Sequence, residues 1–278
     1  MPKRYYNLEK ETKAYLKGCD DLGISNQENI KVINDYVIGR KNENKNSDFL
    51  SKSPIMLKNL SLWLDASIPD SYPAGDIAWK DLSNNKTNLS FVSNPIYTKE
   101  GSGNLVFDGV DDYAQIASVD SLNFGTSPFT LCFVTYRTAF GAQGGSFINK
   151  GSTTSTGWGS RDSLFNIHSS LGEIARCAFS PTSFVWQHHT IVVQQNSSPY
   201  IKYYRNGVLF ATSADALENP ARLGSVSNTA NLQVAFSNAG GLLRYFKGSF
   251  PLVQIYNSEL NLQQIEQNFK AVKYRFGL

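Results

Sequence analysis

The chain has 278 residues, enough for one large β domain with an appendage, and its 26 Lys and Arg against 23 Asp and Glu leave a net charge of +3. So slight and unclustered an excess does not make the basic footprint of a nucleic-acid binder, and no run of about 18 apolar residues offers a membrane span. With 17 Phe and 14 Tyr the chain is rich in residues that suit pleated, half-buried surfaces, which favours strands.

The first residues, Met1-Pro2-Lys3-Arg4, lack the apolar core of a secretion signal. Residues 7–40 read as two helices. Asn7 caps the first, and Leu8, Ala14, Tyr15, Leu16 and Cys19 form its loose stripe before Gly23. In the second, Ser25 and Glu28 form a capping box, Ile30, Ile33, Tyr36 and Val37 recur at helical spacing, and Gly39 stands where a C′ glycine belongs. Two helices this short cannot bury a self-sufficient core, so that stripe is expected to dock on a partner. Residues 41–53 are polar and low in complexity. The expected division is therefore a helical attachment segment over 1–45, a linker over 46–56 and a body over 57–278.

From Leu57 onward short alternating runs are separated by Gly, Asn, Ser and Pro. Residues 129–136 put Phe129, Leu131 and Phe133 on one face, and 190–194 form another strand. Residues 200–205 and 208–212, joined by Asn206-Gly207, predict a hairpin whose turn needs positive φ at both positions. Many strands without intervening helices indicate a sandwich. A last helix opens with a capping box of Asn261 and Gln264. Leu262, Ile265, Phe269 and Val272 line one face, and Lys270, Lys273 and Arg275 sit near its negative end. Cys19, Cys132 and Cys177, odd in number and without C-x-x-C spacing, read as reduced thiols of a chain made in a cytoplasm.

Four segments then carry a resemblance. Leu62-Trp-Leu-Asp65 with Trp79-Lys-Asp81, Leu105-Val-Phe-Asp-Gly-Val-Asp-Asp-Tyr113, Trp186-Gln-His-His-Thr-Ile-Val-Val193 followed by Tyr203-Tyr-Arg-Asn-Gly-Val208, and residues 246–257 with the closing helix occur in the order and spacing of laminin G-like jelly rolls. The chain thus resembles the concanavalin A-like family. That implies a mainly β fold, a two-sheet antiparallel jelly-roll sandwich, with a short N-terminal helical segment and a C-terminal helix. Pro251-Leu252 stands where the commonest pattern has an acidic pair. The closing Val253-Gln-Ile-Tyr-Asn257 and Arg275-Phe-Gly-Leu278, and the opening residues 5–19, are similar to jelly-roll proteins of tailed phages, marine ones especially. This second resemblance implies a virion protein, as capsid decoration or a tail or fibre component, in symmetric homo-oligomeric assembly with other virion proteins or sister subunits. Such a body would display a lectin-like surface to host glycans. A stand-alone lectin-like module and a glycan hydrolase or lyase are the alternatives.

Three groups of residues bear on that choice. Asp108, Asp111 and Asp112 cluster in a turn; Ca²⁺ takes several carboxylate and carbonyl oxygens, and some laminin G-like domains bind it, whereas the plain reading is that these acids cap turn amides. No cofactor is otherwise implied. The Gly/Ser/Thr-rich stretch 151–162 reads as a loop in which Trp158, flanked by Arg161 and Asp162, stacks on a sugar ring, or else folds back onto the sandwich. Trp63, Trp79 and Trp186 fall in strand and turn motifs and read as core. His188 and His189, adjacent on a strand, point to opposite faces and cannot share a metal. Neither a nucleophile elbow, a zinc-binding helix motif, a P-loop nor an alternating acidic strand is present, so catalysis is not expected.

Overall fold

The computed structural model describes residues 55–73, 75–100, 103–140, 145–151, 156–161, 163–238 and 241–278. The helical segment expected over 1–45, with Ile30, Ile33, Tyr36 and Val37, lies outside them, as does most of the linker. Ile55 and Met56, expected to end that linker, are instead packed into the body. Both are buried: the Met56 N–H donates to Asn268 Oδ1 at 2.8 Å, and Tyr256 Oη donates to the Met56 carbonyl at 3.0 Å. Two apolar side chains beside satisfied amides hold more firmly than a solvated linker would.

Two nine-stranded antiparallel sheets form the body. With strands numbered in chain order, sheet I runs β14 (Val208–Thr212), β13 (Ile201–Arg205), β12 (Trp186–Val193), β7 (Phe129–Phe140), β18 (Arg244–Tyr256), β5 (Asn104–Asp108) and β4 (Ile96–Thr98). β1 (Leu60–Asp65) and β17 (Phe236–Ser237) also pair with β18. Sheet II runs β15 (Leu217–Glu218), β11 (Gly172–Ala178), β10 (Leu164–Ser169), β9 (Gly157–Arg161), β8 (Ile148–Gly151), β16 (Leu232–Val234), β6 (Tyr113–Ile116), β3 (Leu89–Val92) and β2 (Ala78–Trp79). This is the two-sheet jelly roll that the motifs implied.

The alternation along β7 explains its place. Phe129, Leu131 and Phe133 enter the core between the sheets, while Cys132 and Val134 face the other way and are equally buried. A helix covers that second face. α1 (Leu262–Phe276) opens with the expected capping box, Asn261 accepting from the Gln264 N–H, and closes at Gly277 in the left-handed conformation. It buries Ile265, Asn268, Ala271, Val272 and Phe276 on sheet I, so Ile265 and Val272 of the expected stripe are packed, Phe269 is half-buried and Leu262 is exposed. Arg275, near the end of α1, forms a bidentate ion pair with Asp65 of β1, at 2.7 and 3.0 Å.

Local chemistry dictates the hairpin and the break in β18. Asn206 and Gly207 have φ of 52° and 78°, the type I′ signature, and Asn206 Oδ1 also accepts from the His188 N–H at 2.8 Å. Pro251 interrupts β18 where its register against β7 shifts between Ser249 and Leu252, the place in a sheet where a residue without an N–H is tolerated.

Candidate functional site

α1, the one α-helix among the described residues, packs on the outer face of sheet I. Among the described residues no helix covers the outer face of sheet II, and the pleat decides what it displays. Ala114, Leu232, Val234, Ile148, Trp158, Phe165, Ile167, Ala175 and Cys177 belong to the core. Their strand neighbours therefore point outward. Continuous register aligns these neighbours in one row: Ser90 opposite Gln115, Gln115 opposite Gln233, Gln233 opposite Asn149, Asn149 opposite Gly159, Gly159 opposite Asn166, and Asn166 opposite Arg176.

The row crosses seven strands and carries four carboxamides. Asn149 and Asn166 lie low at its centre, 1% and 5% exposed, while Gln115, Gln233 and Arg176 are half-exposed. Gly159 lets β9 approach Asn149 closely at the centre, since a Cβ there would stand 2.4 Å from Asn149 Cβ. Asn149 Nδ2 donates to the Phe236 carbonyl, and Gln115 Oε1 accepts from Asn231 Nδ2 at 3.1 Å. Asn166 Nδ2 lies 3.0 Å from His168 Nε2, and its buried Oδ1 has no hydrogen-bond partner. Aromatic rings border the row. Tyr113, two residues before Gln115 on the same face, stacks on Phe236 at 4.5 Å between ring centroids and lies 6.4 Å from Tyr245; both tyrosines are half-exposed.

On the β9–β11 side of the sheet, His168 stands opposite Glu173 at one end of β10, and Arg161 of β9 stands opposite Leu164 at the other. Burial holds the His168 imidazole below its usual value; Glu173 opposes the shift, and the positive charges of Arg161 and Arg222 add to it. Carboxamides offering donor and acceptor together, beside half-exposed phenol rings, form a surface suited to a hydroxyl-rich ligand.

The residues singled out in the sequence divide differently. Trp158 is not on a surface loop: residues 157–161 form β9, and its indole lies in the core 5.4 Å from Phe129 and 6.4 Å from Phe124. At 3% exposure it cannot stack on a sugar; glycines on either side made a strand look like a loop, and the alternative of a Trp folded back onto the sandwich is what occurs. Arg161 does reach the outer face. Asp162 lies outside the described residues. Trp63 and Trp79 are core, and half-buried Trp186 packs on Tyr136 and on Phe276 of α1.

Asp108, Asp111 and Asp112 do converge, with carboxylate oxygens within 4.8 Å of one another. Two of them serve the turn. Asp108 Oδ1 accepts from Val110 N at 2.7 Å and Asp111 N at 3.3 Å, and Asp112 accepts from Asn94 N at 2.9 Å and Asp108 N at 3.2 Å. Burial raises the Asp112 carboxyl, with the two amide donors opposing and Asp108 and Asp111 adding to the rise.

The histidine pair splits as the pleat requires. His189 lies in the core, its Nε2 2.9 Å from Thr135 Oγ1 and its Nδ1 2.8 Å from Tyr203 Oη, while His188 faces Phe269 of α1. Burial pushes His188 down to about 3, so both imidazoles are neutral and sealed from substrate.

The row of Gln115, Gln233, Asn149, Gly159 and Asn166 was not singled out in the sequence. Residues 164–169, where Leu164, Asn166 and His168 alternate with Phe165 and Ile167, held the available signal.

The family model of the concanavalin A-like lectin/glucanases superfamily matches residues 108–266, more than half of the chain. Among solved structures, the binding domain of botulinum neurotoxin DC, in complex with SialylT, superposes with a TM-score of 0.59 at 13% identity, covering 78% of this chain and 52% of its own. The binding domain of Paraclostridial Mosquitocidal Protein 1 gives 0.55 at 19%, covering 76% and 52%. Domain 4 of AbnA, a GH43 extracellular arabinanase from Geobacillus stearothermophilus, in complex with arabinotriose, gives 0.55 at 11%, covering 76% and 98%. At these identities the likeness is one of fold, and the chain spans about half the length of the toxin binding domains. A search of curated proteins found no match. The two nine-stranded sheets, the motif order and the family match agree: the chain belongs to the concanavalin A-like lectin/glucanase superfamily.

Proposed function

We propose that the chain is a non-catalytic, glycan-binding module whose binding surface is the outer face of sheet II. The observation that carries this reading is the register-aligned row of carboxamides, half-exposed at Gln115 and Gln233 and bordered by Tyr113 and Tyr245. Three further points support it. α1 occupies the corresponding face of sheet I, both adjacent histidines are buried and neutral, and the carboxylates of Asp108 and Asp112 are engaged by backbone amides. The SialylT and arabinotriose complexes show what two proteins of this fold bind. No cofactor enters the reading.

Within it, the resemblance of both chain ends to tailed-phage proteins supports a virion setting. The jelly roll would be displayed to host surface glycans, and residues 1–45, through Ile30, Ile33, Tyr36 and Val37, would attach it to other virion proteins or sister subunits.

A glycan array followed by calorimetry tests the binding face. Gln233→Ala with Asn166→Ala should reduce affinity for any captured glycan about tenfold or more with the fold intact, since each lost hydrogen bond costs about 1 kcal/mol. Unchanged affinity places binding elsewhere, and product release from polysaccharides overturns the non-catalytic reading. Mass spectrometry of purified phage particles tests the virion setting.

A further inference from the structure

We infer that the ligand of the sheet II face is an anionic glycan, one bearing carboxylate or sulfate groups; this rests on the glycan-binding reading and names its substrate class. Three guanidinium groups are spaced along the β9–β11 side of this face, Arg161 opposite Leu164 at one end of β10, Arg222 beside Gly172 at the other and Arg176 between them, against one described carboxylate. Arg176 stands opposite Asn166, and Arg161 projects from the same face of β9 as Gly159. Arg222 is exposed and follows the edge strand β15; its Nη1 comes 3.0 Å from where a Cβ on Gly172 would stand, one residue from Glu173. Glu173 is the carboxylate among them, in loose contact with Arg176 at 4.0 Å. Among the described residues, the guanidinium groups of Arg161 and Arg222 form no ion pair.

The chain's net charge is only +3, so this concentration is local. An exposed guanidinium needs no partner for stability, but two that no described carboxylate pairs, beside a row of carboxamides, present planar forks that match carboxylate or sulfate oxygens. The carboxamides meet hydroxyls and the arginines meet the acid. Three guanidinium groups do not make the extended phosphate contacts of nucleic acid.

The test is calorimetry on the full chain with four probes: oligogalacturonate and its methyl ester, and a sulfated galactan oligosaccharide with its desulfated form. At least one acidic member should bind about tenfold or more tighter than its neutral counterpart, and added salt should weaken it. Arg222→Gln, on an exposed side chain, and Arg161→Gln should remove that preference while leaving the weaker neutral binding; Arg161→Lys should restore part of it. The carboxylated and sulfated arms separate the two acid sources. Equal binding of acidic and neutral partners overturns the inference and leaves the glycan-binding reading standing. Binding of no probe, with an empty glycan array, removes both.

Discussion

The bidentate pair between Asp65 and Arg275 holds α1 over the outer face of sheet I, and its removal gives a sharp test of that packing. Both side chains are almost completely buried, 5% and 7% exposed. Asp65 Oδ1 also accepts from Ser67 N at 2.9 Å and from Ser67 Oγ at 2.6 Å. Arg275→Met therefore leaves a buried carboxylate with two of its donors. Breaking a buried pair from one side costs about 3–5 kcal/mol, and the retained serine bonds place this case near about 3 kcal/mol. For a body of this size that is a fall in Tm of about 6–12 °C. Urea unfolding followed by the buried tryptophans, with calorimetry on the same samples, measures it. The double variant Asp65→Leu with Arg275→Met replaces the pair by two apolar side chains and should recover most of the loss. A single-variant cost below about 1 kcal/mol, or a cycle additive to within about 0.5 kcal/mol, refutes the anchoring role.

Trp158→Ala should cost about 3–5 kcal/mol by emptying a core site against Phe124 and Phe129, whereas removal of an exposed sugar platform would leave unfolding unchanged. Asp112→Asn weakens two amide contacts of the 108–113 turn and should cost about 1–2 kcal/mol in denaturant titrations, with or without Ca²⁺; protection restored by Ca²⁺ in the parent chain alone would reassign that turn as a metal site. Lys150 is buried among oxygens, its Nζ 3.0 Å from Ser118 Oγ, 2.9 Å from Asn123 Oδ1 and 2.9 Å from the Asn228 carbonyl, and burial lowers its pKa from 10.5 to about 8. Between those two values the unfolded chain holds a proton that the folded chain has released, so this lysine's contribution to stability rises with pH. The stability gap between the parent and Lys150→Met should widen from pH 7.5 to pH 10, and a gap that stays flat would count against that titration.

Much of the architecture follows from short-range chemistry. Asn206-Gly207 determined its hairpin because few other pairs accept positive φ twice. Asn261 and Gln264 determined where α1 begins because each satisfies the other's backbone amide. Alternation along 129–136 determined a strand, and the order of four weak motifs determined the jelly roll. Tertiary structure alone decided which polar residues meet. Gln115, Asn149, Asn166 and Gln233 come from strands far apart in the chain and join in one row only through the register of neighbouring strands, which no local pattern encodes. It also decided which aromatic side chain is buried. Trp158 among glycines has the composition of a loop, yet the close approach of β9 to Asn149 excludes a Cβ at Gly159 and turns the indole inward. The C-terminal helix pattern was legible in the sequence, but its orientation rests on the Asp65–Arg275 pair, 210 residues apart. Among the described residues that helix covers sheet I alone, and the outer face of sheet II carries none.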